Sequence, residues 1–204
     1  MRRFAYILLF CTATLFVDCA QAQSLGDLFN ALSGMFGSST PTQEKVEKPV
    51  FPTEKQLVGT WIYSQPEIVY EGDDALATMA ISTIKGQVPT LLQKYGIVAG
   101  RDYATIRGSK ITVVSGDKKA KATYTYNVST GKAIITGEHN GKTIVVNGYL
   151  TIKDGAITLL FDAQELIAIA SQEPQFKEST ALQMVASVIS SYPGVKVGVT
   201  AKKK

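Results

Sequence analysis

Cysteine and histidine are scarce in this chain, and each scarcity removes a class of chemistry. Cys11 and Cys19 are the only cysteines, and both fall within the first 22 residues. Those residues are laid out as a secretory signal. Arg2 and Arg3 give the positive start, Ala5 to Val17 the apolar run, and Ala20-Gln21-Ala22 a small-x-small cleavage site. Cleavage after Ala22 starts the mature chain at Gln23 and removes both cysteines. That excludes disulfides, thiolate metal centres and a cysteine nucleophile. Acylation of Cys19 as a lipoprotein anchor is the alternative, against which stands Asp18, directly before it, where such signals take a small neutral residue. The apolar run is shorter than the ~20 residues of a spanning helix, so the mature chain is expected not to be transmembrane. A cysteine-free exported chain suits a bacterial periplasmic or surface protein, where a packed core supplies the stability.

His139 is the only histidine. It sits at a hairpin tip, Gly137-Glu138-His139-Asn140-Gly141, and a Ser-His pair, a Cys-His pair or a multi-histidine metal site has no partners within the chain. Continued to Lys142-Thr143, the same stretch mimics a phosphate-binding loop. Its first glycine is too close, however, and strands flank it where a strand and a helix are needed. Ser82-Thr83-Ile84-Lys85 and Ser115-Gly116-Asp117-Lys118 have a Ser-x-x-Lys spacing without the companion motifs of penicillin-interacting enzymes, and no Gly-x-Ser-x-Gly elbow occurs. Glu67, Glu71, Asp73 and Asp74 make a local acidic cluster. Capping of a helix N-terminus accounts for it better than calcium, whose EF-hand spacing is absent. The sequence therefore offers no catalytic residue, no metal site and no cofactor site, and the chain is expected not to be an enzyme. Asn127-Val128-Ser129 is a glycosylation sequon without consequence in a bacterium.

Net charge is equally spare. Without the signal's Arg2, Arg3 and Asp18 it is about +3, an excess equal to Lys202-Lys203-Lys204. No basic face for nucleic acid emerges, and the lysine tail is expected to be a solvated, frayed terminus rather than a contact for acidic lipid or polymer.

What is present is a modular order. Over residues 23–36, Leu25, Leu28, Phe29, Leu32, Met35 and Phe36 share one helical stripe, an amphipathic helix suited to docking on the barrel or on an envelope protein partner. A linker over 37–53 follows, with Pro41, Pro49 and Pro52 among Ser, Thr, Lys and Glu. The remaining domain, 54–204, is mainly β. Trp61, Tyr63, Ile68 and Tyr70 mark a long first strand with a bend expected at Pro66. A helical segment from Asp74 to Tyr95 is expected to take Asp73 as N-cap and Gly96 as C-cap. Gly86 and Pro89 should kink it or divide it in two. Turn signals at Gly108-Ser109, Gly116-Asp117, Thr130-Gly131, Asn140-Gly141 and Asp154-Gly155 punctuate alternating strands, an antiparallel meander. Gly148 suggests a bulge or sharp bend. Two helices, capped by Asp162 with Glu165 and by Thr180 with Gln183, precede a last strand over 195–200. About eight strands result, enough to close a barrel around a filled core or one small ligand.

Gly59-Thr60-Trp61 resembles the first strand of lipocalin and fatty-acid-binding barrels, where the glycine allows a tight turn and the indole plugs the barrel end. With Leu57-Val58, Asp74-Ala75-Leu76 and Leu159-Leu160-Phe161-Asp162 entering a helix, the chain from Phe51 onward resembles lipocalin-like secreted proteins of Gram-negative gut bacteria, a domain-of-unknown-function family. The resemblance implies an eight-stranded antiparallel lipocalin-like (calycin-type) barrel, with helical insertions after strand one and before the last strand, and export. It brings no catalytic residues.

Tyr63, Tyr70, Tyr124, Tyr126 and Phe161 share the parity of the apolar strand faces, and Met79 lies on the apolar face of the inserted helix. They either line a pocket for a small apolar ligand or fill the core. Gly59 and Trp61 are the structural end plug. Two functions follow: a barrel that binds or carries a small apolar ligand, and a non-catalytic cell-envelope module docking through the Leu25 to Phe36 helix. A carrier needs an interior void above ~300 Å³.

Overall fold

The computed structural model describes residues 48–204, apart from 95, 140, 173–182, 184–185 and 187–188. The expected signal, the amphipathic helix and the linker as far as residue 47 lie outside the described residues. Eight strands close into one barrel: β1 (Gly59–Tyr70), β2 (Tyr103–Arg107), β3 (Lys110–Ser115), β4 (Lys118–Asn127), β5 (Lys132–His139), β6 (Lys142–Lys153), β7 (Ala156–Asp162) and β8 (Val195–Lys203). Each strand pairs antiparallel with the next and β8 returns to β1, the closure that removes open sheet edges. Three helices have defined limits: α1 (Glu54–Leu57), α2 (Ala75–Lys94) and α3 (Ala163–Ala170). Gln183, Ala186 and residues 189–191 are also helical, while Thr180, Leu182 and Val185 of the expected second late helix lie outside the described residues.

The tight turns follow from local chemistry. Asp154 and Gly155 both take positive φ, 51° and 74°, which suits the two-residue turn that twists in step with the flanking strands. β1 runs unbroken through Pro66, which pairs with Val199 of β8. The irregularity is a register shift against β8 between Tyr63 and Gln65. That extra residue, Ser64, switches the inward parity, so Trp61 and Tyr63 before it and Ile68 and Tyr70 after it all face the interior. Gly148 makes no bulge: its pairing with Ala133 and Phe161 continues the register on both sides. A Cβ there would stand 2.9 Å from Leu159 Cδ1 and 3.2 Å from Phe161 Cε1, so the glycine makes room for the Phe161 ring.

The α2 segment is one helix, with Pro89 inside it. Pro89 and Lys85 are both exposed, so the carbonyl that proline cannot serve is left to water and the helix continues. The N-cap is Asp74, not Asp73. Asp74 Oδ1 accepts from Ala77 N at 3.3 Å. Gly96, at φ 79°, ends the helix, and Ile97 N–H reaches back to Leu92 O at 2.9 Å. Ala77, Ile81, Val88 and Leu92 give α2 a buried stripe at helical spacing. The side chains of Leu76, Ile84, Leu91 and Tyr95 lie outside the described residues. α3 is capped by Asp162, whose carboxylate accepts from the Gln164 and Glu165 N–H groups, while the Glu165 side chain turns to Asn147 of β6 at 3.1 Å.

Contact with the barrel begins before Glu54. Ile152 N–H donates to Val50 O at 2.8 Å and Pro52 is fully buried. Thr53 and Gln56 form a reciprocal capping box that starts α1. The core is continuous between the two ends. At the α1 end Leu57, Trp61, Ile106, Leu150 and Ile157 pack together. At the other end Tyr63, Ile68, Phe161 and Val197 meet Val88 and Leu92 of α2 and Leu166 of α3. Tyr124, Ile111 and Leu159 touch both groups.

Candidate functional site: the barrel interior

Between those two groups lies an apolar cavity of about 90 Å³. Trp61, Tyr63, Tyr124 and Phe161 line it, with alanines 104, 122 and 133 among the smaller residues that leave the space. Both exits are occupied. At one end the Trp61 indole N–H donates to Leu57 O at 2.8 Å, the Lys203 ammonium stands 5.3 Å from the ring centroid, and Lys203 Nζ donates to Gln56 O at 3.2 Å. Gly59, at φ 141°, makes the turn from α1 into β1 that brings Trp61 under Leu57. At the other end α2, α3 and Ile189 cover the mouth. Lys202 and Lys203 belong to β8, and Lys204 N–H bonds Thr60 O at 2.9 Å. The expected frayed lysine tail is thus a paired strand end, because β8 must reach β1 to close the barrel.

The six candidate ligand residues divide. Tyr63, Tyr124 and Phe161 line the cavity. Tyr126 is committed elsewhere: its hydroxyl donates to Pro52 O at 2.8 Å and holds the segment before α1 on the barrel. Tyr70 packs edge-on against Tyr192, with centroids 6.4 Å apart, at the mouth beneath the helices. Met79 is half-buried on α2 and does not reach the cavity wall. Burial, reinforced by the charges of Asp102 and Glu67, pushes the Tyr63 phenol well above its ordinary value. Burial and then Glu54 raise that of Tyr124. Both phenols stay neutral at physiological pH, as hydrogen-bonding groups rather than bases.

The acidic cluster does not converge. Glu67 pairs with Lys85 at 2.9 Å and accepts from Thr200 Oγ1 at 3.2 Å, Glu71 pairs with Lys196 at 2.6 Å, and Asp74 caps α2. Among the described residues no group of three or more His, Cys, Asp or Glu side chains could hold a metal ion. His139 ends β5, and its side chain lies outside the described residues. A shallow open groove of about 550 Å³ runs over the outer face of β3 to β6, among Thr112, Thr123, Thr136, Lys121 and Glu138. It gathers no buried polar group.

Asp102, 1 % exposed in the loop between α2 and β2, was not singled out from the sequence. Its carboxylate accepts from Arg101 Nε at 2.7 Å, Ser115 Oγ at 2.7 Å, Val98 N at 2.9 Å and Gly116 N at 3.3 Å. Burial alone would raise its pKa. The hydrogen bonds from Arg101, Ser115 and the two backbone groups outweigh burial and hold it below the usual carboxylate value. The Asp102 carbonyl also accepts from Tyr63 N at 2.8 Å, so this clamp fixes a cavity-lining residue.

An eight-stranded antiparallel barrel, closed on itself around an apolar interior and plugged by the tryptophan of its first strand, is a lipocalin-like barrel. The chain belongs to the family described as Lipocalin-like domain (DUF4923), which it matches over residues 37–203. No curated protein and no solved structure matches it. The family match begins ahead of Phe51 and takes in the segment that docks on the barrel before α1. No described helix is long and apolar enough to cross a membrane.

Proposed function

We propose that this protein is an exported, non-catalytic binding barrel of a Gram-negative bacterium whose interior takes one small apolar group, the size of a single ring or short alkyl chain. The apolar cavity of about 90 Å³ walled by Trp61, Tyr124 and Phe161 carries this reading. A void of that kind, lined by carbon, stays dry and admits apolar guests of matching size. It falls short of the ~300 Å³ expected of a pocket for a whole lipid or pigment, so a bulk carrier role is not supported in this closed form. Export rests on the signal-like layout of residues 1–22. Trp61 is the only tryptophan and forms part of the wall, so its emission reports occupancy directly. Titration with toluene or short alkanes should give a saturable, one-to-one change in that emission, abolished by Ala122→Ile, which fills the void. No saturable change, or an unaltered response in the filled variant, would count against the reading.

The small size of the cavity favours a second reading, a cell-envelope interaction module docking through the Leu25 to Phe36 segment. On that reading, deleting residues 23–36 abolishes partner pull-down and leaves thermal stability intact. Loss of folding on deletion would instead assign the segment to the core.

A further inference from the structure

The small net charge of this chain conceals one strongly cationic end of the barrel. At the α1 end, Arg107 and Lys110 flank the β2–β3 turn, Lys132 follows the β4–β5 turn and Lys153 precedes the β6–β7 turn, all exposed. Lys55 of α1 and Lys202, Lys203 and Lys204 at the end of β8 complete this rim. The acidic side chains described at this end are Glu54 and Asp154. The opposite rim is mixed and close to neutral: Glu71, Asp73, Asp74, Asp117, Glu138 and Glu165 stand among Arg101, Lys118, Lys119, Lys142 and Lys196. Sequence order scatters the basic residues of the α1 end across the chain, and the alternation of antiparallel strands gathers them there.

Exposed aliphatic side chains share the cationic end. Val50 is 62 % exposed, Val58 45 % and Val128 41 %. Val50 and Val58 bracket α1, and Val128 lies in the β4–β5 turn, whose Gly131 is packed against Phe51. Apolar tips set within a ring of ammonium and guanidinium groups match the layered chemistry of an anionic bilayer surface. The cations meet phosphate headgroups, and the aliphatic tips reach the acyl boundary. Single-stranded nucleic acid, by contrast, is gripped by stacking rings. The exposed aromatic among the described residues, Tyr103, begins β2 at the opposite end.

We propose that the α1 end of the barrel is a docking face for an anionic lipid bilayer. The Val50 carbonyl, held by Ile152 N–H, joins the barrel at this end. In this orientation the Trp61 plug faces the headgroups, and the mouth covered by α2 and α3 faces away.

Co-sedimentation of the full chain with vesicles tests this directly. The probes are phosphatidylcholine vesicles and phosphatidylcholine–phosphatidylglycerol vesicles, each at low and at molar salt. Binding should require phosphatidylglycerol and disappear at molar salt. The triple variant Arg107→Gln, Lys110→Gln, Lys132→Gln should bind about a hundredfold more weakly, since each basic group near such a surface contributes roughly a fivefold factor. Because all three side chains are exposed, its melting temperature should stay near that of the parent. A matched triple at the other rim, Lys118→Gln, Lys119→Gln, Lys142→Gln, changes net charge equally and should bind like the parent. Equal binding to neutral vesicles overturns the proposal, as does equal loss in the two triples. So does retention on heparin without binding to any vesicle.

Discussion

Replacing Asp102 with asparagine keeps its shape and removes its charge, which makes the pair of proteins a gauge of what that charge contributes. Asp102 takes five hydrogen bonds from four residues while 1 % exposed, two of them from the half-exposed Arg101 guanidinium. Asparagine keeps one acceptor oxygen, and its NH₂ group faces donors where the second oxygen stood. Arg101 and the exposed Gly116 N–H can return to water, whereas the half-buried Val98 N–H and Ser115 hydroxyl must find partners within the fold. At about 1–3 kcal/mol for each donor left unsatisfied, the cost at neutral pH is about 2–4 kcal/mol. The pH dependence has a definite sign. Because the folded-state pKa is depressed, the carboxylate's contribution is fully present above the unfolded value of about 3.9. It is lost as pH falls through the folded value. Urea unfolding followed by Trp61 emission should therefore show a large gap between parent and Asp102→Asn at neutral pH that narrows below about pH 4. Other carboxylates titrate alike in both proteins and cancel from the difference. A gap that stays constant into the acid range, or a variant as stable as the parent at neutral pH, refutes the clamp.

Gly59→Ala should cost about 1–3 kcal/mol, since its φ of 141° is closed to alanine and a Cβ would meet Lys203 Cε at 2.9 Å. Equilibrium denaturation checks it, and the loss should appear with a red-shifted Trp61 emission as the plug loosens. Gly198→Ala should be more severe, because a Cβ there overlaps the Leu159 carbonyl of the neighbouring strand. The expected outcome is little soluble folded protein, against a clearly higher yield for alanine at Gly155, where nothing lies within 4 Å and only the φ of 74° opposes the side chain. Phe161→Ala should destabilise by about 3–5 kcal/mol and enlarge the void. Bound toluene should then recover part of the loss in a thermal melt.

The closed meander was legible because its signals are local. Gly-containing turns at regular intervals, period-two alternation and Gly59-Thr60-Trp61 each act over a few residues. What the sequence concealed depends on geometry between distant segments. The shift of inward parity in β1 arises at Ser64, which carries no bulge signature. The α1 helix was readable from Thr53-x-x-Gln56 but is too short to show a hydrophobic period. Gly148 suggested a bulge, but its register holds and its missing side chain leaves space for Leu159 and Phe161, which only the partner strand reveals. Parity alone grouped Tyr63, Tyr70, Tyr124 and Tyr126. It could not tell which of them meets the void, which packs on Tyr192 and which is taken by the Pro52 carbonyl. The alanines beside the cavity read as ordinary core, since a void is a sum of volumes and leaves no motif. Asp102 was invisible for the same reason: its donors come from separate turns.

The most direct test of a closed barrel with one small dry cavity is crystal diffraction from protein held under xenon. The account predicts one xenon site inside the barrel, among Trp61, Tyr124 and Phe161, with α1 and α2 in place and the occupancy lost in Ala122→Ile. An interior that binds no xenon, or an elongated density already filling a wide barrel, would contradict it.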